Sequence, residues 1–283
     1  MRHLGAHMSI AGGMHLAFDR LSQIRGDALQ IFTANHRRWL TGNLDVPAIE
    51  LFRSRWEKSG WVPVASHDSY LINLAAADPL ILSSSIDAFA EELMRCDALG
   101  IRYLIMHPGA HVGVGVEAGL LNLVKNLDRS IEASGVESVS VLIENTAGQG
   151  SSLGSSFEEA AFILQNSRFG ETMGVCYDTS HGFAAGYDMR DEPAYNLTMS
   201  KFDKTIGIGR IMFFHLNDSA RDLGSRVDRH AHIGKGKIGL NGFRLLLNDP
   251  RFRDLPMVLE TPKGKDLRED KINMEVLRSI MRS

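Results

Sequence analysis

A single (β/α)8 TIM barrel, with its active site at the C-terminal ends of the strands, is the fold predicted by three features of this 283-residue chain. Short apolar runs alternate with segments of helical periodicity, which implies parallel strands joined by crossover helices. Eight such runs follow one another at roughly even spacing. Six of them lead directly into a histidine or a carboxylate: His67, His107, Glu144, Asp178, His215 and Glu260, at successive intervals of 40, 37, 34, 37 and 45 residues. Active-site groups of this fold leave the C-terminal ends of the strands, so six such side chains are expected to converge at one point.

The elements are expected in the following order. HLGAH (3–7) and ALQIFT (28–33) are the first two strands, with MHLAFDRLSQI (14–24), apolar at helical spacing, between them. The runs WVPVAS, IRYLIM, VSVLI, MGVCY, IMFF and PMVL are the other six, each ending just before one of the six polar residues. SIDAFAEELMRCDALG (85–100) has helical period and a glycine suited to a C-terminal cap. GLLNLVKNLDRSIEAS (119–134) and SFEEAAFILQNS (156–167) follow, the latter with Ser156 and Glu159 spaced for a capping box. GLNGFRLLLND (239–249) precedes the last strand. With no linker or low-complexity tract, residues 1–283 read as one domain.

Composition sets milder bounds. A chain of this length is normal for an α/β barrel, and 44% hydrophobic residues suffice for a large core. Cys96 and Cys176 are 80 residues apart and fit no metal or disulfide spacing; they read as reduced core thiols. The segment MRHLGAHMSIAGG lacks the apolar stretch of a signal peptide, and no run of 18 apolar residues occurs, so a cytoplasmic protein outside the membrane is expected. The net charge of −3 does not advertise a polyanionic partner. Three divalent cations would add six charges and turn −3 into +3, so it does not exclude one either.

Further ligand candidates lie close to the same strand ends. DTSH places Asp178 and His181 three residues apart, and DRH places Asp228 and His230 on one side of an extended segment. Glycine-rich turns follow: HPGAH, ENTAGQG and HIGKGKIG. Four histidines, two aspartates and two glutamates suffice for two ions, and the fifth histidine extends the set to three. Imidazole with carboxylate and no cysteine favours zinc, and is compatible with manganese or iron at one position. A lone histidine at a strand end is ordinarily a hydrogen-bonded core residue. Carboxylates after apolar strands are harder to explain without a cation, because burying them unpaired is costly and no matched arginines stand at those strand ends. His7, His111 and His232 read as supporting or structural residues, His3 and His15 as surface or helix residues.

Taken together, GAHMSIAGG, FTANHRRW, HDSYLINL, HPGAH, IENTAGQG, CYDTSHGFAAGYD, FHLNDS, VDRHAHIGKGKIG and LETP, spread from residue 5 to residue 262, closely resemble the endonuclease IV family of metal-dependent apurinic/apyrimidinic endonucleases. The resemblance implies a trinuclear zinc site. His67, His107 and Glu144 would hold the first ion. Glu144 would bridge to a second, held also by Asp178, His215 and Glu260, and His181, Asp228 and His230 would hold the third. It implies hydrolysis of the phosphodiester 5′ to an abasic site in double-stranded DNA, with removal of blocked 3′ ends as a companion activity. Glu144 is the candidate to orient the nucleophile. FTANHRRW matches the family's DNA-penetrating loop, with Asn35, His36 and Arg37 as DNA contacts and Trp39 in support; Tyr70 and Leu71 match a second loop. Lys235 and Lys237 read equally as phosphate contacts or as a solvated basic turn. His36 stands where the family often has glutamine, and Ser180 where cysteine is common. A monomer is expected. Two rivals are a metal-dependent sugar-phosphate isomerase or epimerase and a non-catalytic binder of abasic DNA. The first is disfavoured by the DTSH and DRH pairs and the penetrating loop, the second by a ligand set intact at all nine positions.

Overall fold

The computed structural model describes residues 2–35, 39, 42 and 44–282. Eight parallel strands close into a barrel in the order β1-β10-β7-β6-β5-β4-β3-β2. They are β1 (His3–His7), β2 (Ala28–Ile31), β3 (Val64–His67), β4 (Tyr103–Met106), β5 (Ser140–Glu144), β6 (Gly174–Asp178), β7 (Ile211–His215) and β10 (Pro256–Leu259). A small antiparallel hairpin, β8 (Asp218–Ser219) with β9 (His230–Ala231), stands outside the barrel sheet. The fold class expected from the sequence is the one observed.

The surrounding helices are α1 (Leu16–Gln23), α2 (Val46–Lys58), α3 (Pro79–Leu99), α4 (Val116–Ser134), α5 (Phe157–Asn166), α6 (Thr179–Ala185), α7 (Glu192–Thr205), α8 (Gly239–Leu247) and α9 (Arg268–Ser279). Their ends follow local chemistry. Asp78 accepts from the backbone N–H of Leu80 and Ile81 and Pro79 opens the helix, so α3 starts six residues earlier than its apolar period indicates. Gly100 closes it at φ 83°. At α5 the Ser156 hydroxyl caps Glu159 N–H, while the Glu159 carboxylate reaches back to Gly154 and Ser155 rather than to Ser156 N–H. Two expected strands are shorter than their apolar runs. β2 stops at Ile31, and β3 starts only after Trp61, which is exposed with φ 57°, and after Pro63.

The barrel interior is layered with the period of two that strands impose. Ala28, Ala65, Ile105, Leu142, Cys176, Phe213 and Val258 form one apolar cluster, each contributed by a different strand. Two residues further along each strand line, the next layer is polar: Gln30, His67, His107, Glu144, Asp178, His215 and Glu260. β1 completes both layers with Gly5 and His7, Gly5 pairing in register with Ala28 and Val258. A separate large cluster packs the outer faces of the strands against the helices. Strand register thus places one side chain from each of eight strands around the top of the barrel, directly above an apolar floor.

Candidate metal centre

Glu144, fully buried at the end of β5, is the hub of that polar layer. Its Oε2 lies 3.0 Å from His67 Nε2 and 3.1 Å from His107 Nε2. Its Oε1 lies 3.0 Å from His215 Nδ1 and 3.1 Å from His181 Nδ1. His67 and His215 end β3 and β7, and His107 follows β4 directly. His181 comes from the first turn of α6, where Asp178 caps its N–H at 2.8 Å. Glu260, just past β10, approaches His215 Nδ1 at 3.2 Å.

Three groups of side chains bring their ligand atoms within 4.8 Å of one another: His67, His107 and Glu144; Glu144, Asp178, His215 and Glu260; and Asp178, His181 and His230. Asp228 stands beside the third group rather than within it, 3.3 Å from His181 Nε2 and 3.5 Å from His230 Nε2. His230 and Asp228 are brought in by the β8–β9 hairpin, which the sequence did not reveal. The residues fit a cluster of cations. Two ligand atoms each about 2.0–2.1 Å from one tetrahedral ion are separated by about 3.3 Å, close to the distances around Glu144.

The backs of the imidazoles are fixed as metal ligands require. His67 Nδ1 lies 2.9 Å from the Asp68 carbonyl oxygen, leaving Nε2 for Glu144, and His181 Nδ1, besides facing Glu144, lies 3.0 Å from the carbonyl oxygen of Asn145, leaving Nε2 for Asp228 and His230. His215 is turned the other way, with Nε2 2.6 Å from Gln30 Oε1. Gln30 is buried and uses its whole amide: Nε2 donates to Glu260 Oε1 at 2.6 Å and to His7 Nδ1 at 2.9 Å. Asn145 and Asn217 perform the same service for the carboxylates. Asn145 Oδ1 accepts from Asp178 N–H at 2.8 Å, and Asn217 Nδ2 donates to Asp178 Oδ2 at 2.6 Å. Asn217 Oδ1 accepts from Glu260 N–H at 2.9 Å.

Charge balance explains how these groups tolerate burial. Burial alone opposes ionisation of Glu144, but the imidazoles of His215 and His107 hold its carboxyl well below the ordinary range. Glu260 is lowered in the same way, chiefly by His215 against the cost of burial. Burial disfavours charged His67, His181 and His215, yet their carboxylate neighbours raise all three, His67 and His181 strongly. His7, by contrast, is lowered by burial, which matches its role as acceptor from the Gln30 amide.

Gln30, Asn145, Asn217 and Asp68 are site residues that sequence reasoning missed. Gln30 was detectable in principle, because it occupies on β2 the layer position that His67 occupies on β3. The remaining described histidines lie outside the three groups. His111 Nδ1 accepts from Gly115 N–H, and His232 Nδ1 lies 3.2 Å from Asn273 Nδ2. The glycines of HIGKGKIG serve the protein itself. Asp218, fully buried, accepts from the N–H groups of Gly234, Gly236 and Ile238, and a Cβ on Gly236 would meet its Oδ1 at 2.4 Å. Lys235 and Lys237 are exposed, with Lys237 Nζ 3.6 Å from Asp222.

A cavity of about 680 Å³ opens beside the cluster, with His230 and Glu260 on one side and Ser9, Ile10, Phe32 and Tyr70 on others. Tyr70 is 66% exposed, its ring 6.1 Å from that of His67 and 5.7 Å from that of Phe32. Asn35 also lines the cavity, and Leu71 is half-buried. His36 and Arg37 lie outside the described residues.

Comparison with known proteins agrees with this architecture. The family model described as xylose isomerase-like TIM barrel matches residues 18–280. A probable endonuclease 4 of Chloroflexus aurantiacus is 48% identical over 281 residues, covering 99% of both chains. That of Geobacter sulfurreducens is 45% identical over 280 residues, covering 99% of this chain and 95% of its own. The crystal structure of endonuclease IV from Thermus thermophilus superposes with a TM-score of 0.88 at 36% identity over 98% of each chain. A D-tagatose 3-epimerase-like protein, at 17% identity and a TM-score of 0.72, shares the fold alone. With the same barrel, near-complete coverage and these levels of identity, the chain belongs to the endonuclease IV family of hydrolases within the xylose isomerase-like TIM barrels.

Proposed function

We propose that this protein is a DNA-repair endonuclease that hydrolyses the phosphodiester 5′ to abasic sites in duplex DNA, leaving a 3′-hydroxyl and a 5′-deoxyribose phosphate. The observation that carries the reading is the Glu144 hub, one buried carboxylate within 3.1 Å of four imidazoles at the barrel mouth. His67 and His107 with Glu144 would hold one zinc ion. Asp178, His215 and Glu260 with Glu144 would hold a second, and His181, His230 and Asp228 a third, with Asp178 close enough to be shared. Such ions would polarise the phosphoryl group and make water nucleophilic at neutral pH. Glu144 spans two of the groups, so its oxygens are positioned to orient the attacking water. The same centre suits trimming of blocked 3′ ends, since the scissile bond is of the same kind.

The substrate must present its phosphate to a recessed centre, which a stacked duplex cannot do. An abasic nucleotide is extruded at low cost because its base is already missing. The cavity beside Glu260 and His230 can receive it, and the exposed Tyr70 with Leu71 can fill the gap left in the stack. Asn35, His36 and Arg37 belong to the segment assigned to the DNA on the sequence resemblance.

The test is cleavage of a duplex oligonucleotide carrying one abasic-site analogue, without added magnesium. A single cut 5′ to the lesion, lost on prolonged metal stripping, restored by zinc and abolished in His67→Ala and Glu144→Ala, is expected. Tight binding by wild type without a cut would favour a lesion binder. Neither binding nor cutting by the zinc-loaded protein would sink the reading.

A further inference from the structure

The turn that follows Glu260 carries a cation to the wall of the cavity. Lys263 lines that cavity together with His230 and Glu260, and among the described residues it is the only lysine or arginine there. Its side chain is 22% exposed. Nζ lies 2.7 Å from Oδ2 of Asp270, fully buried on α9, and donates to the His7 carbonyl at 2.9 Å. An ammonium has three donors, so these two partners leave one for the cavity. The His7 ring faces Glu260 Oε1 at 3.4 Å, which puts the cation next to the metal centre although it joins none of the three groups. The turn does not need the ion pair to stay in place. Asn273 Nδ2 donates to the Thr261 hydroxyl at 2.9 Å, and Glu269 Oε2 accepts from Gly264 N–H at 2.9 Å, so α9 grips the chain on both sides of Lys263. A buried ion pair also adds little net stability over apolar residues of similar volume. What Asp270 supplies is position: it fixes the head of a flexible stem before anything enters the cavity.

We infer that Lys263, held by Asp270, is a phosphate-binding residue of the cavity, and that it takes the phosphodiester on the 3′ side of the abasic sugar. The inference rests on the proposed function for the identity of the strand, and on the cavity, the cation and its tether for the rest. A nucleotide that enters the cavity carries a phosphate on each side of its sugar. With one of them at the metal centre, the other runs along the wall, where an anion needs a cation and a charge-assisted hydrogen bond.

The test uses full-length zinc-loaded protein cutting an abasic duplex, as wild type, as Asp270→Asn, and as the double variant Lys263→Met with Asp270→Asn. The double variant removes the pair without changing net charge, so its salt response reports a contact rather than the field of the whole protein. Its KM is expected to rise by about fivefold or more, as losing a charge-assisted hydrogen bond implies. Its slope of log KM against log salt should fall by about 0.9, the share of one phosphate on duplex DNA. Asp270→Asn breaks the pair but keeps the cation, and should keep the wild-type slope. A methylphosphonate on the 3′ side of the abasic sugar, which neutralises that phosphate, should raise the wild-type KM by a similar factor and add nothing in the double variant. Should the double variant fail to fold, Lys263→Gln, which keeps a donor for Asp270 and loses the charge, carries the test with the same expected slope. A tether that never meets DNA would instead make Asp270→Asn and the double variant alike and the methylphosphonate cost additive. That pattern, or an unchanged slope, would overturn the inference and leave the functional reading standing. A wild type that neither binds nor cuts abasic DNA would overturn both.

Discussion

Gln30 Oε1 lies 2.6 Å from Nε2 of His215, so a neutral amide accepts the hydrogen bond from the far side of a ring whose Nδ1 faces Glu144 at 3.0 Å. The same amide donates to Glu260, so one residue orients two of the four side chains in the central group. Gln30→Leu should preserve the barrel and weaken zinc binding by about 10–100-fold, the usual cost of losing such support. Competition against a chromogenic chelator measures it, and an unaltered affinity would rule out the orienting role.

Asp178 and Asp228 should not be equivalent. Asp178 is fully buried and belongs to two of the three groups, whereas Asp228 is partly exposed and its carboxylate stands beside one group only, near His181 and His230. Asp178→Asn is expected to deplete two ion positions after dialysis against a weak chelator, and Asp228→Asn only one. Elemental analysis of the dialysed proteins decides this, and equal depletion would count against a shared Asp178.

Glu92 gives stability a defined pH dependence. Its carboxyl is raised from 4.5 to about 7, chiefly by burial, with Asp68 and Glu91 adding to the shift and Thr33 and Arg95 opposing it. The folded protein therefore holds a proton that the unfolded chain has released, and stability is lost as pH rises from about 4.5 to about 7. The loss amounts to about 3 kcal/mol at about 1.4 kcal/mol per pH unit. Glu92→Gln should lack it, so the variant should gain on wild type as pH rises through this window and hold a constant difference above it. Urea midpoints across that range provide the measurement, and parallel curves would refute the assignment.

Ser180 sits in α6 between the ligand candidates Asp178 and His181, fully buried, and its hydroxyl has no hydrogen-bond partner among the described residues. Removing an unsatisfied buried hydroxyl relieves a desolvation cost of about 1 kcal/mol. Ser180→Ala should raise Tm by about 2–4 °C for a chain of this size, with zinc content unchanged. A fall in Tm would mean that the hydroxyl is satisfied by bound water.

The centre was legible in the sequence wherever a strand end supplied its own contrast, a single His, Glu or Asp after an apolar run. Gln30 escaped because ALQIFT reads as one run to Thr33, while β2 ends at Ile31 and the polar layer falls in its middle. The β8–β9 hairpin escaped because two-residue strands leave no period to detect. Four helices, α2, α6, α7 and α9, were not read from the sequence, and three of them escaped for another reason. α2 buries only Phe52, and half of the buried face of α9 is Asp270 and Asn273, so neither shows the apolar stripe that marked α4. α7 buries Tyr195, Thr198, Met199 and Phe202, again a narrow stripe. Proline and aspartate at the starts of α2 and α7 were the remaining signals. How the nine ligand candidates divide among ions was not visible in their spacing, because His181, Asp228 and His230 reach the centre from a helix turn and a hairpin rather than from barrel strands.

The apolar layer of Ala28, Ala65, Ile105, Leu142, Cys176, Phe213 and Val258 makes the centre a blind well. Among the described residues the open side of the centre carries His107, one-third exposed, with Asp228 and Tyr70 more exposed still. Duplex DNA seated on that side would cork the well. Metal loading would then have to precede substrate, and an ion inside an occupied enzyme would be trapped until the DNA leaves. The floor that packs the barrel would thereby impose an order of events, and the rate at which a chelator strips the protein would become a clock for how long the substrate stays.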